Sequence, residues 1–541
     1  MTPFAALIDA IGHARARTAK LALLVSYFRD TPDPDRGYAL AVLTGALSFR
    51  HARPALLRRL IAERTDPVLF ALSYDYVGDL SETIALMWPP GATTIPPPVL
   101  GDVIAALDTI SAAALPERIA GWLDGLDETS RWALLKLITG GLRIGISARL
   151  AKTAVAMLGP RRPDDIEEVW HGQRPPYTDL FAFAEGRIDQ LDAADPLPFR
   201  PPMLAHPIEE TGLAGIEPAL HVAEWKWDGI RVQLACTTGP DGTALVRLYS
   251  RSGDDITAAF PDLVSAARLG TATLDGELLV VRDGRVRPFA DLQQRLNRKR
   301  VPKALMMQYP AHLRAYDLLS EEGADVRSLP LAERRQRLER LVARHPGSRI
   351  DCSAAVPFAS LEALAAARAD PGLAGAGDDA AAVEGVMIKR RDSPYVAGRP
   401  RGLWWKWKRA PDTVDAVMMY AQRGHGKRSS YYSDYTFGVW KDGALVPVGK
   451  AYSGFTDAEL KQIDTFVRTH TVNRFGPVRE VTHTAETGLV LEIAFEGLNR
   501  SSRHKSGIAM RFPRIVRLRW DKTPAEAGTL DELEARLGQR G

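Results

Sequence analysis

Up to about residue 190 the apolar positions recur at three- and four-residue spacing. Leu21, Leu24, Val25 and Phe28 form one stripe, and Leu56, Leu57, Leu60 and Ile61 another, which predicts helices packed into an all-α domain. Trp132, Leu135, Leu137 and Ile138 run into Gly140-Gly141, a helix stop. The turn Leu142-Arg143-Ile144-Gly145-Ile146-Ser147 follows, with Ser147 expected to cap a helix from Ala148 to Leu158.

The period changes after a cluster of prolines. Pro196, Pro198, Pro201 and Pro202 read as a stiff linker. Alternating runs at Val222 to Leu234, Ala244 to Tyr249 and Thr273 to Val281 then predict strands, with helices at Leu331 to Ala343 and Ser360 to Ala367 between strands. Asp370 to Ala382, rich in Gly, Ala and Asp, is expected to be a mobile surface loop. From about Pro411 short strands with turns at Gly424 to Gly426 and Lys441-Asp442-Gly443 suggest a small all-β barrel. The expected organisation is multi-domain: all-α over 1–195, α+β over 200–410 and all-β over 411–541, with no internal repeat.

Composition narrows the class of protein. A chain of 541 residues is too long for one core at ~150 residues per domain. With 45% hydrophobic and 25% charged residues it reads as a soluble globular protein. No apolar run approaches the ~20 residues that span a bilayer, and Met1 to Ala10 lacks the features of a secretory signal, so no membrane partner is expected. Two unspaced cysteines, Cys236 and Cys352, argue against disulfides and a zinc site and fit a reducing cytoplasm. The net charge of +4 and pI near 8.9 permit a polyanionic partner without requiring one.

The candidate chemistry lies in the middle region. Glu224-Trp225-Lys226-Trp227-Asp228-Gly229-Ile230-Arg231 sets a lysine between tryptophans, with an acid, a glycine and an arginine beyond it. A lysine nucleophile needs its free amine, and an arginine offers a planar fork to phosphate or ribose oxygens. By itself the stretch reads as a half-buried strand whose long side chains are charged, and the motifs farther along reverse that reading. Asp275-Gly276-Glu277 reads as a tight turn presenting a carboxylate, and Glu384 heads an apolar strand; two such acids suit a divalent cation or a ribose hydroxyl. In Trp404-Trp405-Lys406-Trp407-Lys408, the two lysines share one strand face and Trp405 and Trp407 the other. Two cations desolvated together call for an anion between them, and phosphate is the natural one. Between Arg500 and Lys522 eight basic residues face the single acid Asp521, the footprint of a phosphate-binding surface. His425 and His504 lack partners at metal-ligand spacing.

In order, Lys226-x-Asp228-Gly229, Ser250-Arg251, Asp275-Gly276-Glu277, Tyr316-Asp317, Glu384-Gly385-x-x-x-Lys389 and Lys406-x-Lys408 resemble the successive motifs of the covalent nucleotidyltransferase superfamily. Arg511-Phe512-Pro513-Arg514 with Arg519 and Asp521-Lys522, Pro202 to Ala205, and the Leu142 to Ser147 turn make the chain similar to ATP-dependent DNA ligases in particular, the bacterial stand-alone type with a helical DNA-binding domain. The resemblance covers essentially the whole chain. Tyr316 stands where many relatives carry Phe.

The resemblance implies an all-α DNA-binding domain, an α+β adenylation domain and an OB-fold barrel. It implies nick sealing in three steps: AMP from ATP onto Lys226, then onto the 5′-phosphate of nicked double-stranded DNA, then release as the 3′-hydroxyl attacks. The setting is repair or replication. Glu224 would read the base edge, Tyr316 would stack on adenine, and Arg231 and Glu277 would hold the ribose. Arg251 would meet a phosphate or the nick end, while Lys389, Lys406 and Lys408 would neutralise the α-phosphate. Arg514, Arg519 and Lys522 would orient pyrophosphate. Glu384, with Glu277 or Asp275, would hold Mg²⁺ (or Mn²⁺). Arg143, Gly145, Ser147, Arg251, Arg500 and Arg503 would contact DNA. A monomer in the cytoplasm, associated with the nucleoid, is expected. The alternatives are an RNA ligase or mRNA-capping guanylyltransferase, a NAD⁺-dependent ligase, and a non-catalytic nick-binding protein. The helical N-terminal region weighs against the first pair, the lack of four cysteines against the NAD⁺ enzyme, and the intact lysine and glutamate set against loss of catalysis.

Overall fold

The computed structural model describes the chain apart from residues 15, 90–95, 141, 143, 192–195, 240, 297, 299, 424–430, 453, 476–477, 502–503 and 540–541. The chain divides into two compact units, Met1–Pro202 with Thr237–Leu245, and Met203–Cys236 with Val246–Gly541.

The first unit is built of helices, among them Thr2–His13, Arg17–Asp30, Pro54–Ala62, Glu128–Thr139 and Ala148–Ala156. The predicted stripes face its core: Leu24, Val25, Phe28, Leu57, Leu60 and Ile61 are all buried. Glu128–Thr139 stops at Gly140, which takes the left-handed backbone (φ 71) that glycine tolerates. Ser147 caps the next helix as expected, its hydroxyl accepting from Leu150 N at 3.2 Å.

The second unit contains two sheets that matter for the site. In the five-stranded sheet the order is His206–Pro207, Trp404–Lys408, Val383–Arg390, His221–Trp227 and Ala355–Val356. The second sheet contains Ile230–Thr238, Ala272–Arg282 and Ala311–Glu321 side by side. The run predicted as one strand, Val222 to Leu234, is therefore broken at Asp228-Gly229, where the chain leaves one sheet and enters the other. Each sheet has its own apolar layer, with Trp225, Trp227, Val386 and Trp407 in one and Val232, Leu234, Leu274 and Leu313 in the other.

Two further readings are corrected in this region. Asp275-Gly276-Glu277 is no turn: it lies inside the continuous strand Ala272–Arg282. Gly276 is there because the neighbouring strand crowds it; a Cβ would lie 2.7 Å from Leu313 Cδ1 and 2.8 Å from Arg314 O. The segment expected as a mobile loop, Asp370 to Ala382, forms helical turns at Gly372–Ala376 and Gly377–Ala382. Asp379 pins it by accepting from Val286 N at 2.8 Å and facing Arg314 at 3.4 Å.

Beyond Pro411 the strand Asp412–Arg423 is the hub of another sheet, pairing with Tyr432–Lys441, Val478–Val481 and Val490–Phe495. The predicted turn at Asp442-Gly443 is present, with φ 48 and φ 77. The predicted turn at Gly424 to Gly426 lies outside the described residues. The reading of this region as strands alone is corrected by the helices Asp457–Thr469 and Leu530–Gln539. The former has a full capping box, Thr456 with Glu459, and buries Leu460, Ile463, Phe466 and Val467 at helical spacing.

Candidate active site

A cleft of about 410 Å³ opens between the two sheets of the second unit, lined by Lys226, Arg231, Arg251, Glu277, Tyr316, Glu384, Lys389, Lys406 and Lys408. Its floor follows from strand register. Gly385 pairs with Lys226 on one side and Lys408 on the other, and Met387 pairs with Glu224 and Lys406. Alternation then puts Glu224, Lys226, Lys406 and Lys408 on one face. Gly385 has φ 146, and a Cβ there would lie 2.3 Å from Trp407 O, so only glycine lets the three strands meet at this row.

Lys226 Nζ donates to Glu384 Oε1. The other carboxylate oxygen faces Lys408 Nζ at 3.2 Å, and Lys408 also donates to Glu496 at 2.9 Å. Burial pushes the Glu384 carboxyl up, but Lys226 and Lys408 outweigh it and hold it below the usual range. Lys406 has no carboxylate partner among the described residues. Burial, then the charges of Lys226, Lys408, Arg399 and Arg251, lower its pKa. Glu277 sits against this group and burial pushes it up to about 8, despite Lys226 and Arg231, with Glu384 and Asp275 adding to the rise.

The other end of the cleft is aromatic. The Lys389 ammonium stands 4.5 Å from the centre of the Tyr316 ring and 4.6 Å from that of Trp404. It donates to Glu224 Oε2 at 2.9 Å, and Arg335 donates to Glu224 Oε1. A flat apolar ring, a buried acceptor pair and, farther along, a row of cations suit a nucleotide with its base at Tyr316 and its phosphates at Lys226.

Residues 202–408 match the family described as ATP dependent DNA ligase domain, and residues 428–522 that described as ATP dependent DNA ligase C terminal region. A probable DNA ligase of Koribacter versatilis is 32% identical over 557 residues, covering 97% of this chain and 94% of its own. The chain belongs to the ATP-dependent DNA ligases. A probable DNA ligase of Streptomyces avermitilis is similarly close, 31% identical over 543 residues with 96% and 95% covered. Among solved structures, the chain named Pmar-Lig_PreS3 shares the fold at a TM-score of 0.57, with 16% identity over 95% of this chain and 99% of that one.

Against the ligase motifs, most residues singled out in the sequence converge on the cleft, and several do not. Asp275 is fully buried and corrected as a metal ligand. Its oxygens take Arg231 (Nη2 to Oδ2 2.6 Å, Nε to Oδ1 3.1 Å), the Tyr395 hydroxyl at 2.6 Å and the Tyr316 hydroxyl at 3.2 Å. Its work is to hold Arg231 in place. Lys389, four residues along the strand from Gly385, is held between Glu224 and the Tyr316 ring. Arg519 and Lys522 pair with Asp415 at 3.1 Å and 2.6 Å, outside this cleft. Arg514 lines an adjoining hollow with Asp228, Glu384 and Lys408.

Of the expected DNA contacts, Arg143 and Arg503 lie outside the described residues, as does His425. Gly145 (φ 69) and Ser147 share the turn that Lys20 braces by donating to Ile144 O at 2.5 Å. Arg500 is exposed on the strand Gly497–Arg500, and His504 is exposed. Sequence reasoning missed Arg399, Glu496 and Arg335. Arg399 stands in an aperiodic stretch and Glu496 ends an apolar strand, so neither carries a pattern that points to the cleft.

Proposed function

We propose that the chain seals nicks in duplex DNA through an AMP adduct on Lys226, which attacks the α-phosphorus of ATP and displaces pyrophosphate. The AMP passes to the 5′-phosphate of the nick, and the 3′-hydroxyl then displaces it as the phosphodiester forms. Each step is an in-line phosphoryl transfer, so the protein's task is positioning and charge neutralisation. The observation that carries the reading is the convergence of Lys226, Lys406 and Lys408 on one sheet face beside Gly385, where Lys406 has no carboxylate partner among the described residues.

In this reading Tyr316 stacks on adenine, Glu224 reads its edge, Glu277 holds the ribose, and Lys406 and Lys408 meet the phosphates. Arg231, fixed by Asp275, lines the same wall. Arg251 faces the phosphate of ATP or of the nick end. The donor set fits Mg²⁺, which takes one or two carboxylates plus substrate phosphates and keeps several waters. Glu384 and Glu277 are the two, and among the described residues no cluster of three acidic, histidine or cysteine groups suits a metal held by protein alone. When bound, the ion would polarise the phosphate oxygens.

The three-part division at about 195 and 410 fits this scheme, with the helical unit gripping DNA through the Gly145–Ser147 turn and the last region acting as an OB-fold. Arg514 already lies beside Glu384 and Lys408, whereas Arg519 and Lys522 lie outside the cleft, so the last region would turn to bring those two to pyrophosphate. No described helix is long and apolar enough to cross a membrane, and a cytoplasmic monomer fits this role. Incubation with ATP, Mg²⁺ and a 5′-labelled nicked duplex tests it: a full-length strand is expected, and none with GTP or NAD⁺. A product with NAD⁺ but not ATP would overturn it.

A further inference from the structure

We infer that Arg335 is the positioning residue that sets purine specificity, by fixing the carboxylate of Glu224. The inference rests on the proposed reading of the cleft as a nucleotide site. Arg335 lies on the helix Leu331–Ala343 and does not line the cleft itself. Its side chain is 12% exposed, and it reaches Glu224 Oε1 through one nitrogen and Ser353 O through another, while Nε meets Glu339 at 3.1 Å. Ser353 stands two residues before Ala355 of the short strand Ala355–Val356, and Ala355 pairs with Glu224, so one guanidinium ties the carboxylate to the lead-in of its neighbouring strand.

The adjacent Arg334 does the same for the opposite wall. It is fully buried and grips Asp317, the neighbour of Tyr316, at 2.7 Å and 2.9 Å. The helix that carries both arginines is pinned at its start by Leu331 N to Ser393 O and Ala332 N to Arg391 O, each 2.9 Å. One rigid helix thus holds the ring-bearing strand through Arg334 and the acceptor through Arg335.

The consequence is chemical. A carboxylate offers acceptors only, and Glu224 is 2% exposed at its side chain, with Lys389 on one oxygen and Arg335 on the other. Held there, its remaining lone pairs welcome the 6-amino group of adenine and repel a 6-oxo group. A buried polar site discriminates strongly between a partner that completes its hydrogen bonds and one that opposes them. Without Arg335 the carboxylate is free to swing onto Lys389 and loses its fixed aim.

The test is covalent labelling of the full chain by ATP and by inosine triphosphate, which differ at the 6-position, with kcat and KM for each. Wild type is expected to prefer ATP strongly. In Arg335→Gln the ratio of kcat/KM for ATP over inosine triphosphate should fall by about tenfold or more, mainly through KM for ATP. Arg335→Lys should recover part of it. An equal loss with both nucleotides, or an unchanged ratio, would overturn the inference while leaving the ligase reading intact. Wild type unlabelled by any nucleotide would overturn both.

Discussion

Arg511 grips Asp228 through both carboxylate oxygens, Nη1 to Oδ2 at 2.5 Å and Nη2 to Oδ1 at 3.1 Å, and so joins the last region of the chain to the corner just beyond Lys226. Glu496, whose N–H donates to Arg511 O at 2.9 Å, makes a second tie to Lys408. If the first pair works as a unit, Arg511→Ala and Asp228→Asn should each slow lysine labelling at low ATP, and the double variant should be no slower than the worse single. The coupling expected for a partly exposed bidentate pair is about 1 kcal/mol. Effects that simply multiply would show that the two residues act separately.

Lys406 carries a charge at a cost to the fold. Its pKa is lowered by burial and then by Lys226, Lys408, Arg399 and Arg251. A lysine whose folded pKa is depressed destabilises the fold while it is charged, and the cost fades as pH rises past that pKa. Lys406→Met should therefore melt above wild type at pH 7, with a gap that narrows in strong base. Labelling by ATP should fall on the order of 10²-fold, as one aimed cation is lost. A variant both less stable and fully active would contradict this account.

Glu277 gives a pH signature of the opposite kind. Its pKa rises from 4.5 to about 8, first by burial. Between these values the folded chain binds this proton more tightly than the unfolded chain does, so the contribution to stability falls as pH rises. Glu277→Gln has no such proton. Its melting temperature should gain on wild type steadily from pH 5 to pH 8; parallel curves would show that the carboxyl is not held in that state.

The sequence exposed those parts of the site that rest on local period. Alternation alone placed Lys406 and Lys408 together and Trp405 and Trp407 behind them, and register confirms that arrangement. The helix at Leu331–Ala343 was equally plain from its apolar spacing. Where several strands must meet, local signals mislead. Asp275-Gly276 carries the composition of a turn, yet the glycine answers crowding from Arg314 across the sheet. Asp275 looked free because its partners Arg231 and Tyr395 are 44 and 120 residues away. Arg335, in a helix crowded with Arg and Glu, reads as a solvated face until Glu224 is found beside it. The helix Asp457–Thr469 has its capping box, Thr456 with Glu459, plain in the sequence, but the regular strand spacing around it masks that signal.

The most direct test of the central claim is to incubate wild type and Lys226→Ala with ATP and Mg²⁺, then to locate the adduct by mass spectrometry of the digested chain. One AMP on the peptide holding Lys226 in wild type, and none anywhere in the variant, is the predicted result. AMP on another lysine, or undiminished labelling of Lys226→Ala, would contradict the account.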